Sequence, residues 1–135
     1  TRAHLYRSAL ESVAYSVNQQ IRIMEAHDNA DIDQIFAVGG GVQNPQWMQI
    51  VADVTGKEIN TPLVTIGASF GDAMMAATAV KYPEFEDFAA LTKFIKPGCT
   101  FHPNPEAHEQ YKAFQEVYDK LYPTTAELMH ALAKQ

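Results

Sequence analysis

One cysteine, Cys99, is all that this chain has, so an internal disulfide is excluded and a cysteine-built metal site is not suggested. Long apolar runs are missing too: none approaches the ~20 residues that a membrane-spanning helix requires. The opening residues, TRAHLYRSALE, lack the apolar core of a signal peptide. Together these absences predict a cytoplasmic protein without a membrane partner. Basic residues are few and scattered, ten Lys and Arg against sixteen Asp and Glu for a net charge of −6. That balance argues against a nucleic-acid partner, because duplex binding relies on clustered Lys and Arg. The histidines, His4, His27, His102, His108 and His130, show no H-E-x-x-H spacing, and no Gly-Lys-Ser/Thr triplet marks a P-loop. The densest charge group, Glu84, Glu86 and Asp87, follows Pro83 in a loop-like stretch and reads as solvated surface rather than a metal site.

What is present is the composition of one soluble globular domain, with 135 residues, 47% of them hydrophobic and 19% charged. Its most informative stretch is residues 38–56, VGGGVQNPQWMQIVADVTG. The preceding apolar run, residues 35–38, has the pattern of a parallel strand covered on both faces. Asn44 then suits a helix N-cap, Pro45 the first helical position, and Gly56 the C-terminal stop. Between strand and helix stand Gly39, Gly40 and Gly41, which can take positive φ and let a flat or charged group lie against bare main chain. Free N–H groups and the dipole at the helix start would favour a phosphate or ribose edge nearby. Two readings stay open on the glycines alone, a ligand-binding loop and a tight turn that binds nothing. The G-x-G-x-x-G fingerprint does not fit, since Asn44 stands where its third glycine belongs.

Along the rest of the chain, residues 3–27 read as one helix whose stripe, Leu10, Val13, Ala14, Val17, Ile21 and Met24, needs a partner surface. Strands are expected at residues 33–38 and 57–60, and a Gly- and Ala-rich helix at 68–80 whose Gly71, Ala73, Ala76 and Ala77 suit tight packing. Residues 81–104 read as a connector with one short helix near 87–94 and a turn at Pro97-Gly98. Asn104-Pro105 opens a helix to about residue 121, with Tyr111, Phe114, Val117, Tyr118 and Leu121 as core, and Thr124 to Glu127 form a capping box for a last short helix. Gly67-Ala68-Ser69-Phe70-Gly71 matches G-x-S-x-G, but a nucleophile elbow also needs a downstream acid and histidine in a larger sheet.

GGGVQNPQWMQIVADVTGKEI resembles the adenosine-binding motif of the FGGY family of carbohydrate kinases, xylulokinase-like members most closely. Arg7-Ser8-Ala9-Leu10-Glu11-Ser12-Val13-Ala14 resembles the tail of the second family signature, R-A-x-x-E-G-[IV]-A, from which Ser8 and Ser12 depart. Gly67-Ala68-Ser69-Phe70-Gly71-Asp72-Ala73-Met74-Met75-Ala76-Ala77 resembles the small-residue helix that follows in the family, with Asp72 where many members carry Ala. The three blocks share the family's order and spacing.

The resemblance implies an α/β fold: part of an actin-like, ribonuclease H-like ATPase domain, helix-rich with a small remnant of parallel sheet. Residues 1–80 would be its nucleotide-binding core, 81–104 a connector and 105–135 C-terminal helices. It implies that the chain is a fragment, the C-terminal ATP-binding portion of a sugar kinase that moves the γ-phosphoryl group of ATP to a sugar hydroxyl, xylulose or a related pentose or pentulose. ATP would act as substrate with Mg2+, the metal contacts lying outside this chain along with the sugar pocket and the aspartate base. Gly39, Gly40, Gly41 and Asn44 would hold the adenine nucleotide, with no catalytic or metal-binding residue here. Alone, the chain is expected to be inactive and to self-associate or form a homodimer through its uncovered strand edge and the residue 10–24 stripe. The alternative is a non-catalytic binding or assembly module that keeps the fold remnant.

Overall fold

Asn44 and Gly56 set both ends of the helix around which the domain is built. The Asn44 Oδ1 accepts from the backbone N–H groups of Gln46 at 3.1 Å and Trp47 at 3.2 Å. Gly56, at φ 68°, donates its N–H to the Ala52 carbonyl at 2.8 Å and ends the helix in a left-handed turn. A computed structural model of the chain, which describes residues 1–65, 67–83, 87 and 89–134, gives the order α1 (Arg2–Asp28), β1 (Gln34–Phe36), α2 (Pro45–Thr55), β2 (Glu58–Pro62), α3 (Ala68–Ala79), β3 (Pro97–Phe101) and α4 (Pro105–Leu132). Short 3-10 turns occur at Gly40–Gln43 and Ala89–Phe94. No helix among the described residues is long and apolar enough to cross a membrane. Ile66, Glu84 and Glu86, which entered the sequence reading, lie outside the described residues.

Helix α2 is buried nearly all round, at Met48 and from Ile50 through Thr55, because α1, α4 and the sheet each cover part of it. The buried Asp53 carboxylate is satisfied inside this packing: its Oδ1 accepts from Gln49 Nε2 and from the Asn104 N–H, both at 2.8 Å. It thereby ties α2 to the residue that caps α4, where Asn104 Oδ1 accepts from the N–H groups of Glu106 and Ala107.

The sheet order is β1-β2-β3. The pair β1 and β2 is the expected parallel remnant, with Ile35 opposite Ile59. Strand β3 adds an antiparallel neighbour, Phe101 opposite Ile59, and makes the sheet mixed. Ile35, Ile59 and Phe101 thus form one row across three strands, and that row packs on the helices. Among the described residues no helix covers the other face. Phe36 is 70% exposed, so the expectation that β1 is covered on both faces is corrected: the described helices pack on one side only.

Three further expectations change. Pro97-Gly98 opens a strand instead of making a turn. Neither Pro62 nor Pro97 has an N–H to give the ladder, and the Thr61 hydroxyl replaces the missing bonds by donating to the Cys99 carbonyl at 3.0 Å and accepting its N–H at 3.1 Å. The capping box at Thr124 does not form, because α4 runs through Pro123 as one helix, and the Thr125 hydroxyl turns back to the Leu121 carbonyl at 2.7 Å. Among the described residues the small-residue face of α3 meets no close partner: α3 buries none of its residues, and a Cβ on Gly71 would touch nothing within 4 Å.

The inward faces of α1 and α4 are also rotated from those expected. In α1 the buried residues are Ala14, Tyr15, Asn18 and Ile21, while Val13 and Met24 are exposed. In α4 the buried residue is Gln115, flanked by half-buried Tyr111 and Tyr118, while Phe114, Val117 and Leu121 face outward. Polar complementarity decides this. Asn18 Nδ2 donates to Gln115 Oε1 at 3.0 Å, and Gln115 Nε2 donates to the Tyr15 carbonyl at 3.2 Å. The Tyr15 ring lies edge-on to Tyr111, 6.0 Å between centroids.

Candidate functional site

The loop between β1 and α2 is held at two points. The Ala37 N–H donates to the Asn60 carbonyl at 2.9 Å, extending the register of β1, and the Gly39 N–H donates to the Thr65 carbonyl at 3.0 Å. Gly39 sits at φ 98°, ψ −173°, a region that essentially only glycine occupies. The chain then makes one 3-10 turn over Gly40–Gln43, closed by the Asn44 N–H donating to the Gly41 carbonyl at 3.1 Å.

The three glycines are there for different reasons. Gly39 is required by its backbone angle. Gly41 is required by a neighbour, since a Cβ there would lie 2.7 Å from Cζ3 of Trp47. Gly40 has no positive φ, and a Cβ on it would meet nothing within 4 Å. The fold therefore demands glycine at 39 and 41, and leaves 40 as bare backbone facing open space.

The expected anion site at the start of α2 is not available. Pro45 has no N–H, those of Gln46 and Trp47 go to Asn44 Oδ1, and that of Met48 goes to the Asn44 carbonyl at 3.2 Å. All first-turn donors are used internally. What Asn44 keeps is its Nδ2, which has no hydrogen-bond partner among the described residues and is not sealed from solvent. Between Gly39 and Asn44 there is no ionisable side chain, so the loop recognises by shape and amide hydrogen bonding, not by charge.

The sequence reading of this loop did not include Trp47. Its ring roofs Gly41, and its Nε1 is the buried polar side-chain atom without a partner among the described residues. The signal was available in the spacing: a tryptophan at the third helical position lies over the residues just before the cap. Gly67, at the foot of α3, lies directly against the loop, since a Cβ on it would sit 3.4 Å from Val38 Cγ2. Beside this junction is an apolar cavity of about 160 Å³, lined by Val38, Gly67, Phe70, Met74, Phe94 and Ile95 among others. It is small for a whole drug-sized ligand.

The sequence pattern of the FGGY family of carbohydrate kinases, C-terminal domain, matches residues 1–80, a span that includes α1, the glycine loop, α2 and α3. The chain belongs to the FGGY family of carbohydrate kinases. A xylulose kinase from Lactococcus lactis is 32% identical over 133 residues, covering 97% of this chain and 26% of that protein. A glycerol kinase 2 from Saccharolobus solfataricus is 39% identical over 121 residues, 87% of this chain and 24% of its own length. In three dimensions the crystal structure of xylulose kinase from Rhodospirillum rubrum matches with a TM-score of 0.77 and 27% identity, over 96% of this chain and 26% of that one. The chain thus spans about a quarter of the length of these FGGY relatives, and its fold is that part of their actin-like ATPase architecture.

The FGGY signature residues in α1 have a structural role here. Arg7 Nε pairs with Glu11 Oε1 at 2.8 Å, Arg7 Nη2 donates to the Tyr111 hydroxyl at 2.9 Å, and that hydroxyl donates to Glu11 Oε1 at 2.8 Å. The triad joins α1 to α4. The hydrogen bond from Arg7 to Glu11, helped by Tyr111, raises the guanidinium pKa further, and burial pushes the Tyr111 phenol up. Ser69 lies exposed in the first turn of α3 with no histidine bonded to it among the described residues, so the G-x-S-x-G string does not build a nucleophile elbow. Magnesium, which FGGY chemistry implies, finds no fit: among the described residues no three of His, Cys, Asp and Glu converge, and the glycine loop carries no carboxylate.

Proposed function

We propose that this chain is the nucleotide-binding C-terminal portion of a cytoplasmic ATP-dependent sugar kinase, with xylulose or a related pentulose as acceptor. In this reading residues 1–80 carry the nucleotide-binding core, 81–104 link it to 105–135, and the sugar pocket, Mg2+ and general base belong to the rest of the intact protein. The chain alone is then inactive. Phosphoryl transfer depends mostly on positioning and charge stabilisation, and the part assigned to this chain is positioning: the adenosine end of ATP lies on the Gly40 backbone, with Gly39 and Gly41 shaping the turn and Asn44 Nδ2 donating to the base or ribose. Gly40 carries the reading. It is the one glycine of the three that the fold does not need, which is what a surface reserved for a flat ligand requires.

The test is calorimetric titration of the intact protein with ATP and ADP, comparing the parent with Asn44→Asp. Aspartate caps a helix as well as asparagine does, so the melting temperature stays where it is. The Nδ2 donor is lost, so nucleotide affinity falls about tenfold, the worth of one hydrogen bond of ~1.4 kcal/mol, while sugar affinity is unchanged. Equal ATP affinity in the variant removes Asn44 from the site. Failure of the parent to bind either nucleotide supports the non-catalytic module instead.

A further inference from the structure

Trp47 is tied to both halves of the loop that carries the proposed nucleotide site. Its main chain is bonded to Asn44: the Trp47 N–H donates to Asn44 Oδ1 at 3.2 Å and to the Asn44 carbonyl at 3.1 Å. Its side chain meets Gly41. A Cβ at 41 would lie 2.7 Å from Cζ3, 3.3 Å from Cε3 and 3.5 Å from Cη2 of the indole. Gly41 has no positive φ, so its backbone angle would accept alanine, and the ring is what requires glycine there. Positions 41 and 47 are matched in size. Hydrogen bonding does not place the ring, because Nε1 is a buried donor without a partner among the described residues, and an unmatched buried donor weakens a fold. Contact places it: the half-buried indole packs on the hydrophobic core, as does Val42 next to Gly41.

We infer that Trp47 is the positioning residue of the nucleotide site. With its ring against Gly41 and its N–H on Asn44, it sets the separation between the Gly40 main chain and Asn44 Nδ2, the two groups assigned to the adenosine. This role rests on the nucleotide reading of the loop and adds to it a residue that acts without touching the ligand. No ionisable side chain stands between Gly39 and Asn44, so affinity depends on shape and on amide hydrogen bonds, which weaken steeply when misaligned. A loop already held in its binding geometry also loses less freedom when the ligand arrives. Helix α2 supplies the rigidity, being capped at both ends and buried nearly all round. Trp47, at its third position, carries that rigidity into the loop.

The experiment is a size-exchange cycle, read by calorimetric titration of the intact protein with ADP and by thermal melting. G41A forces a Cβ against the ring, and W47L withdraws the ring from Gly41; each raises the ADP Kd about tenfold and lowers the Tm. G41A/W47L pairs a larger residue at 41 with a smaller one at 47, and its ADP Kd returns to within about threefold of the parent value. Its Tm stays below that of the parent, because the contacts of the indole with the core are still lost. Affinity recovers where stability does not, which a merely structural tryptophan would not produce. W47F keeps a ring over Gly41 without the unmatched donor and loses less affinity than W47L. An ADP Kd unmoved by W47L, a double variant as weak as the two single effects combined, or a phenylalanine as harmful as leucine overturns the positioning role and leaves the nucleotide reading standing. A parent that binds no ADP overturns both.

Discussion

Gly40→Ala is expected to leave the domain as stable as before or slightly more so while impairing nucleotide binding. On the folding side, the native backbone angle suits any L-residue, and the added Cβ meets nothing within 4 Å. The folded state gains no strain, and the unfolded chain loses freedom, a stabilisation of about 0.4–1 kcal/mol. For a domain of this size that corresponds to a rise in Tm of roughly 1–4 °C. On the binding side, a methyl group projects from the surface on which we place the nucleotide and must be overpacked, at about 1–3 kcal/mol or roughly five- to 150-fold in Kd. Gly39→Ala is the control, because its φ of 98° forces a strained residue and lowers stability by about 1–3 kcal/mol. The assays are thermal melting of the chain and calorimetric titration of the intact protein with ADP. If Gly40→Ala melts as low as Gly39→Ala, the account of the loop is wrong; if it melts at or above the parent and still binds ADP with parental affinity, the nucleotide does not lie on Gly40.

Gly98→Ala should weaken the β2–β3 pairing, because the new Cβ would sit 2.8 Å from the Pro62 carbonyl and from the Thr61 oxygen, main-chain atoms that cannot swing away; a loss of about 1–3 kcal/mol in urea unfolding is expected, and parental stability would show that β3 is held otherwise. Burial pushes the Tyr15 phenol from 10.0 up to about 12, so its contribution is complete below pH 10 and is lost as pH rises through about 12; Tyr15→Phe should remove that alkaline limb from the melting profile. At the acid end the Lys57 hydrogen bond, with the Ile32 N–H, holds the Glu25 carboxyl below its ordinary 4.5, so this stabilisation is present above that value and fades as pH falls through the lowered one. Lys57→Met should flatten the acid limb, and an unchanged limb would assign it to other carboxylates.

The parts of this domain that were legible before folding are those decided within one turn of chain. Asn44, Pro45 and Gly56 bound α2 because a side-chain oxygen, a ring and a missing Cβ act on backbone groups two to four residues away. Asn104-Pro105 opens α4 in the same way. The glycines were legible as a loop, but not their separate reasons: the role of Gly41 depends on a tryptophan ring one helical turn into α2 and that of Gly39 on a backbone angle. The donors at the start of α2 were misjudged because Asn44, recognised as a cap, was not followed through to the two N–H groups that it consumes.

Local chemistry in the amino-acid order thus determined where α1, α2 and α3 run, where α4 begins, which residues lie on the loop and, through three spaced blocks, membership in the FGGY family. Tertiary structure alone decided which way the long helices face, whether Pro123 ends α4 and whether Pro97-Gly98 turns or pairs. Two of those choices are settled by a partner distant in sequence: Gln115 against Asn18 and Thr61 against Cys99. A periodic pattern states that a helix has an apolar side; only the packed neighbours, with their own hydrogen bonds to satisfy, select which part of that side is buried.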